Sequence, residues 1–184
     1  MNLKPIPTLA LAAAVVALAF NAQAQGANGA APTDPQIAAI VVTANQVDID
    51  AGKLAIQKSA SKDVKAFAQT MVRDHAGVNQ AAGDLVHKLK VTPEPNATSE
   101  SLKNGGAENL AKLKGLTGKA FDKAYVNHEV AYHQAVLDAM DKTLIPDAQN
   151  TELKALLVKV RPTFVAHLNH AKALDEQLNG SGGN

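Results

Sequence analysis

The chain has 184 residues, which is enough for one domain or at most two small ones. Its 18 Lys and Arg residues nearly balance its 17 Asp and Glu residues, and it contains no cysteine and no tryptophan. The near-neutral charge argues against a nucleic-acid-binding protein, because such a protein needs a basic face to release counterions from phosphates. The lack of cysteine excludes disulfides, zinc–thiolate sites, iron–sulfur clusters and cysteine nucleophiles.

The first 24 residues have the layout of a secretory signal peptide. One charged residue, Lys4, precedes an unbroken apolar run of 12 residues from Leu9 to Phe20. Ala22 and Ala24 then supply small residues at the two positions that a signal peptidase recognises, which predicts cleavage after Ala24. As a helix, the apolar run spans only about 18 Å, well short of a hydrocarbon core of about 30 Å. We therefore expect an exported, periplasmic protein with no transmembrane segment in its mature chain.

The rest of the chain predicts four long helices. The leader over residues 25–33 is rich in Gly, Ala and Asn and is predicted to be disordered. Asp34-Pro35 predicts a helix start, because Asp caps a helix well and Pro is tolerated at its first position. The predicted helices cover residues 34–59, 61–90, 119–143 and 150–178, with a flexible tail at 179–184. In the second and fourth, apolar positions step alternately by four and three, which is typical of helices packed in a bundle.

The segment 91–117 is predicted to be a loop with one short helix at 107–114, because it contains two prolines and three glycines. This link has 27 residues, whereas links in helical bundles usually have about 2–8. A link of that length can cross the whole bundle. We therefore predict an all-α domain over 34–178, a ferritin-like four-helix bundle with a long crossover between helices 2 and 3. Helices 2 and 3 should then run parallel.

Five polar residues are predicted to face the bundle interior: Asp48, His75, Glu129, His133 and His167. Carboxylates and imidazoles from facing helices are the groups with which such bundles hold metals. Three interpretations stay open for this set. The residues could form buried pairs that fix the helix register, they could ligate a divalent metal such as iron or zinc, or they could carry acid–base chemistry.

The members of this set are not all predicted to lie at the same level along the bundle axis. His75 and His133 both lie near the middle of their predicted helices, so we expect them at the same level. Counted from Pro146, His133 lies 13 residues back and His167 lies 21 forward, a mismatch of about 12 Å at about 1.5 Å per residue. His128, at 18 residues back, matches His167 better. We therefore expect His167 to be the member least able to join a cluster.

Several stretches resemble a bacterial family, the domain of unknown function 4142, and together they cover nearly all of residues 35–178. They are Asp48–Ala55, Val64–His75, Phe121–Val126 and Arg161–Phe164 with His167. The resemblance implies an exported ferritin-like fold, often labelled an outer-membrane protein. It also implies that an acid at position 48 and histidines at 75, 133 and 167 are typical, and it brings no established activity.

The sequence departs from the di-iron ferritins, which pair Glu-x-x-His motifs on two helices. The residues three positions before the interior histidines are Val72, Val130 and Phe164. We therefore expect a periplasmic binding or stress-related envelope protein of unknown biochemical activity, with outer-membrane association as the location that the resemblance adds. The alternative is a metal-binding or metal-dependent oxidoreductase bundle. Protein partners are not identified by any motif, and nucleic acid is not expected.

Overall fold

The structure is a computed structural model and describes residues 31–180. The predicted signal peptide, most of the predicted leader and the last four residues of the predicted tail lie outside the described residues.

Residues 31–180 form helices and connecting turns, with no strand among them, which confirms the predicted all-α class. The helices are α1 Asp34–Lys58, α2 Lys62–Leu89, α3 Ala97–Lys114, α4 Gly118–Ala139, a π-helical turn Met140–Leu144, α5 Ile145–Asp147 and α6 Thr151–Gly180. The bounds of α1, α2 and α6 agree with the predicted ones to within two residues. Within the described range, no helix is long and apolar enough to cross a lipid bilayer.

Polar side chains fix where α2 and α6 begin. The Ser61 hydroxyl accepts a hydrogen bond from the backbone N–H of Val64, and Asn150 Oδ1 accepts from the N–H groups at the start of α6. Asp34 does not cap α1, because Thr33 holds the N-cap position. Its carboxylate instead accepts the backbone N–H groups of Gln149 and Asn150 at 2.9 Å, which joins the start of α1 to the start of α6.

The segment between α2 and α4 differs from the prediction, because most of it is the 18-residue helix α3 rather than a loop with a short helix at 107–114. Asn96 caps α3 by accepting the N–H of Ser99 at 3.0 Å. Gly105 and Gly106 lie inside the helix, and Gly115 caps its end. Gly106 permits a close approach to α1, since a Cβ there would lie 2.7 Å from Val47 Cγ2. Gly106 therefore serves packing at this helix crossing.

Contacts at the two ends of the molecule give the directions of the helices. At one end, Asp34 binds Gln149 and lines a small cleft with Leu89, the last residue of α2. At the other end, Lys58 donates to the carbonyl oxygens of Leu113 and Lys114 and lies over the Phe121 ring. Helix α3 therefore runs back along the length of the molecule. As a result α2 and α4, which correspond to the predicted helices 2 and 3, run in the same direction.

The end of α4 also differs from the prediction, which ended this helix at residue 143. The chain continues through the π-helical turn into α5, which ends at Asp147. Pro146 lies at the start of α5, directly after the π-helical turn. The reversal of the chain thus lies around Ala148, two residues later than predicted.

The core consists of two apolar clusters along the length of the helices. One cluster is centred on Ile40, Tyr132, Leu157 and Phe164, and the other is built from buried residues that include Phe67 and Tyr125. Asp48, His75 and Glu129 lie between the residues of the two clusters on their helices, whereas His133 and His167 lie at the edge of the first cluster. A buried polar layer therefore lies where the two apolar clusters meet.

Candidate metal centre

The structure buries all five residues that were predicted to face the interior. Asp48 lies on α1, His75 on α2, Glu129 and His133 on α4, and His167 on α6. His75, Glu129 and His133 have an exposed fraction of 0%, and the other two have 1% and 4%. All four long helices therefore contribute to the polar layer.

The three imidazole rings form a compact cluster. Their centroids are separated by 5.5 Å between His75 and His133, 5.2 Å between His75 and His167, and 5.4 Å between His133 and His167. The expectation that His167 lies at a different level is therefore wrong. Counted from Ala148, where the chain reverses, His133 lies 15 residues back and His167 lies 19 forward, so the mismatch falls from about 12 Å to about 6 Å.

His75 is oriented by an amide on α1. Asn45 donates its Nδ2 hydrogen to the carbonyl oxygen of Val41 at 2.9 Å, which leaves Asn45 Oδ1 facing His75 Nδ1 at 2.7 Å. Because an amide oxygen only accepts, His75 Nδ1 carries the proton. Its Nε2 is then a bare lone pair, and this atom is buried without a hydrogen-bond partner.

The other two imidazoles are held in the same manner. His133 Nδ1 lies 3.0 Å from the carbonyl oxygen of Glu129, and His167 Nε2 lies 3.0 Å from Asp74 Oδ2. Both partners are acceptors, so these nitrogens donate, and the opposite nitrogens carry lone pairs. Those atoms, His133 Nε2 and His167 Nδ1, are also buried without a partner. Each ring is thus fixed in one tautomer by an outer partner, as in protein metal sites.

Two carboxyl groups adjoin the imidazoles without hydrogen-bonding to them. Asp48 Oδ2 lies 3.5 Å from His75 Nε2, and Glu129 Oε2 lies 3.4 Å from His133 Nδ1. Both distances exceed the usual range of about 2.7–3.2 Å for such hydrogen bonds. Asp48 Oδ1 and both oxygens of Glu129 are buried and have no partner. The expected carboxylate–imidazole pairs are therefore juxtaposed but not formed.

Burial keeps the members of this cluster neutral. It lowers the pKa of His133 to about 3, with the nearby His167 adding to the effect, and it lowers the pKa of His75 well below the ordinary value. Burial also raises the pKa of Glu129 to about 8, against the smaller effect of the neighbouring Asp48 and Tyr125 side chains, which lower it. The pKa of Asp48 is raised by burial first and by the Glu129 charge second. Without a cation, these contacts are therefore not ion pairs near neutral pH.

Asp74 is the charged member of the surrounding groups. Partial burial acts to raise its pKa, but hydrogen bonds from Arg73 and His167 outweigh this effect and bring the pKa below the ordinary value. Arg73 Nε lies 2.7 Å from Asp74 Oδ1, and the other carboxylate oxygen receives His167. The carboxylate therefore links the surface to an imidazole of the cluster.

Two overlapping sets of three residues have the spacing of metal ligands. His75, His133 and His167 can each supply one ligand atom, and so can Asp48, Glu129 and His133, with all atoms in a set within 4.8 Å of one another. Ligand atoms around a tetrahedral ion at about 2.0–2.1 Å are separated by roughly 3.4 Å. Closure of at most about 1.4 Å would bring either set onto an ion. The 3.5 Å separation of Asp48 Oδ2 and His75 Nε2 already matches this spacing.

Sequence reasoning missed the residues that orient the imidazoles. Asn45 lies three residues before Asp48 on the same face of α1, and a polar residue on that apolar face was the available signal. Asp74 directly precedes His75, but its own side chain reaches α6. His128 stays outside the cluster and stacks on Tyr132 with a centroid distance of 5.4 Å.

Comparison with known proteins places the chain in a family without giving it an activity. The family model described as "Domain of unknown function (DUF4142)" matches residues 19–174. No curated protein and no solved structure matches the chain significantly. Because the family match spans most of the sequence, the chain belongs to the DUF4142 family.

Proposed function

We propose that this protein is an exported metal-binding protein of the bacterial cell envelope, built as a ferritin-like four-helix bundle with a crossover. The observation that carries the proposal is the set of buried lone pairs on His75, His133 and His167, each with its ring held from the far side. A cation between the rings would use all three at once.

The competing interpretation, structural pairing, leaves too many polar atoms unsatisfied. Three imidazole nitrogens and three carboxyl oxygens of the cluster are buried without partners. Each such atom costs about 1–3 kcal/mol, so pairing alone would burden the core with several unfavourable contributions. A bound cation would remove these costs, because its charge favours the ionised carboxylates and the neutral imidazoles.

The donor set narrows the class of metal. Imidazole nitrogens suit zinc, iron, copper and nickel, whereas carboxylate oxygens extend the range to manganese. The chain has no cysteine, and the donors near the site are nitrogen and oxygen. We therefore propose Fe²⁺ or Zn²⁺. The three imidazoles would hold the ion. Asp48 and Glu129 would release their protons to solvent as the ion enters and would then supply negative charge.

A titration of the chelator-treated protein with Co²⁺ tests the proposal, because Co²⁺ reports its ligands through visible absorption. We expect saturable absorption bands of a nitrogen- and oxygen-ligated ion, and displacement of Co²⁺ by Zn²⁺. His75→Ala should abolish the bands. His87→Ala is the matched control, since His87 is an exposed histidine of the same helix. Absence of the bands in a folded wild-type protein would refute metal binding.

The proposed location rests on the predicted signal peptide, and it has its own test. N-terminal sequencing of protein recovered from the periplasm should begin at Gln25. Recovery from the cytoplasm with residues 1–24 retained would refute export and leave the metal proposal untouched.

A further inference from the structure

A small chamber with apolar walls lies beside the imidazole cluster. It has a volume of about 30 Å³ and is bounded by residues of α1, α2, α4, the π-helical turn and α6. A cavity needs roughly 10–15 Å³ by this measure to hold one water molecule. The chamber therefore has room for a molecule of about two non-hydrogen atoms.

The walls of the chamber offer almost no hydrogen-bonding groups. Its lining consists of Ile40, Val41, Ala44, Asn45, Val78, Val136, Ala139, Met140, Leu144, Leu157, Val160 and Phe164. The one polar side chain among them, Asn45, already donates to Val41 and accepts from His75. Water is held in a cavity by two to four polar partners, which these walls lack, so the chamber favours a neutral apolar occupant.

The chamber and the imidazole cluster share a wall. The Phe164 ring lines the chamber, and its centroid lies 5.0 Å from that of His75 and 6.1 Å from that of His133. Asn45, which orients His75, also lines it. A molecule in the chamber is therefore separated from the proposed ion by one ring.

The π-helical turn contributes to this space. Met140 and Leu144, the first and last residues of the turn, both line the chamber, together with Ala139 just before it. A π-helical turn is rare and is found frequently at functional sites.

We propose that this chamber binds a small neutral diatomic molecule of the size of dioxygen and holds it beside the metal centre, behind the Phe164 ring. The role at the metal rests on the proposed function, whereas occupancy of the chamber does not. Volume, apolar walls and the shared Phe164 wall together support this class of ligand over water, ions and larger organic molecules.

Dioxygen itself is the probe, because it is paramagnetic and shortens the relaxation times of nearby methyl protons. The metal-free full-length mature protein would be studied by NMR under dioxygen pressure, with dinitrogen as the diamagnetic reference. Methyl groups of Val78 and Leu157 in the chamber, which are 8% and 2% exposed, should relax faster than those of Val47 and Leu174, which are 8% and 3% exposed outside it. Equal enhancement in both pairs would overturn the proposal.

Two variants on α4 sharpen the test. Ala139→Leu adds a side chain at the chamber wall, and Ala135→Leu adds the same side chain one turn earlier, at a residue that is also half-buried but does not line the chamber. The enhancement should disappear in Ala139→Leu and persist in Ala135→Leu. Its persistence in both variants would show that dioxygen lies elsewhere and would refute the chamber.

The role at the metal has a separate readout. In protein loaded with Fe²⁺, transfer of one electron from the ion to dissolved dioxygen yields Fe³⁺ and superoxide. This oxidation should be several-fold slower in Ala139→Leu than in Ala135→Leu, and equal rates would overturn delivery through the chamber. A parallel Zn²⁺ titration of both variants shows whether each still binds metal. Equal oxidation rates in two variants that bind Zn²⁺ would therefore count against delivery of dioxygen through the chamber and not against metal binding.

Discussion

Replacing Glu129 by Gln tests whether the metal-free centre is neutral. Burial raises the pKa of Glu129 to about 8, compared with 4.5 in an exposed glutamate. The folded protein therefore keeps a proton that the unfolded chain releases between these two values. Because the folded state binds more protons in that range, the free energy of unfolding falls as pH rises. Gln has the same shape as Glu and removes this titration.

Between pH 6.5 and pH 8, the contribution of Glu129 to the pH dependence of stability can be separated from that of the histidines. The pKa values of His75 and His133 are lowered on folding, so these groups add stability as pH rises toward the unfolded histidine value of 6.5 and contribute no change above it. Above that pH the ionisation of the buried Glu129 carboxyl reduces stability by up to about 1.4 kcal/mol per pH unit, which amounts to roughly 2 kcal/mol over this window. Asp48, whose pKa is also raised by burial, acts in the same direction.

Urea unfolding in the presence of a chelator measures the effect. The free energy of unfolding of the wild type should fall between pH 6.5 and pH 8, and in Glu129→Gln this fall should be smaller by roughly 2 kcal/mol. Glu108→Gln is the control, because Glu108 is exposed on α3 and its replacement should leave the slope unchanged. Identical slopes for the wild type and Glu129→Gln would refute the reasoning, since they would mean that the carboxyl is already ionised in the metal-free protein.

Three further predictions concern the partners and packing of the centre. Asp74→Asn should weaken Zn²⁺ binding by about 10–100-fold in calorimetry, because His167 loses its carboxylate partner, and an unchanged Kd would contradict the role of Asp74. Gly52→Ala should lower the free energy of unfolding by about 1–3 kcal/mol, since its Cβ would lie 2.9 Å from Val72 Cγ2 and 3.1 Å from a backbone oxygen. Gly77→Ala is the matched control, because a Cβ at Gly77 would meet no atom within 4 Å. This change should raise the free energy of unfolding by about 0.5–1 kcal/mol. Equal effects of the two substitutions in urea unfolding would contradict a packing role for Gly52. Zn²⁺ affinity should rise from pH 6 to pH 8 with release of protons, measured by calorimetry in two buffers, because the buried carboxyls must ionise to bind the cation.

Periodicity made much of the fold predictable from the sequence. The seams of apolar residues through α2 and α6 give the positions of both helices to within two residues, and they also place His75 and His167 on buried faces. The family was likewise recognisable from local sequence, and the match over 19–174 confirms it. These features depend on neighbours within one helix, and such neighbours are visible in the sequence.

The parts that were missed depend on contacts between helices. Gly105 and Gly106 looked like helix breaks in the sequence, because the role of Gly106 lies in its close approach to Val47 on another helix. The predicted level of His167 along the bundle was wrong, because the chain reverses at Ala148 rather than at Pro146. The pairing of Asp74 with His167 joins two helices 93 residues apart in sequence, and no local pattern reveals it.

The metal content of the protein as it is made in the cell shows whether the imidazole cluster holds an ion. Protein with its native sequence would be isolated from the periplasm without chelators or a metal-affinity tag and analysed by elemental mass spectrometry. We expect close to one iron or zinc ion per chain, lost in His75→Ala and retained in His87→Ala. Folded wild-type protein that carries no transition metal, and takes up none after incubation with Fe²⁺ or Zn²⁺, would contradict it.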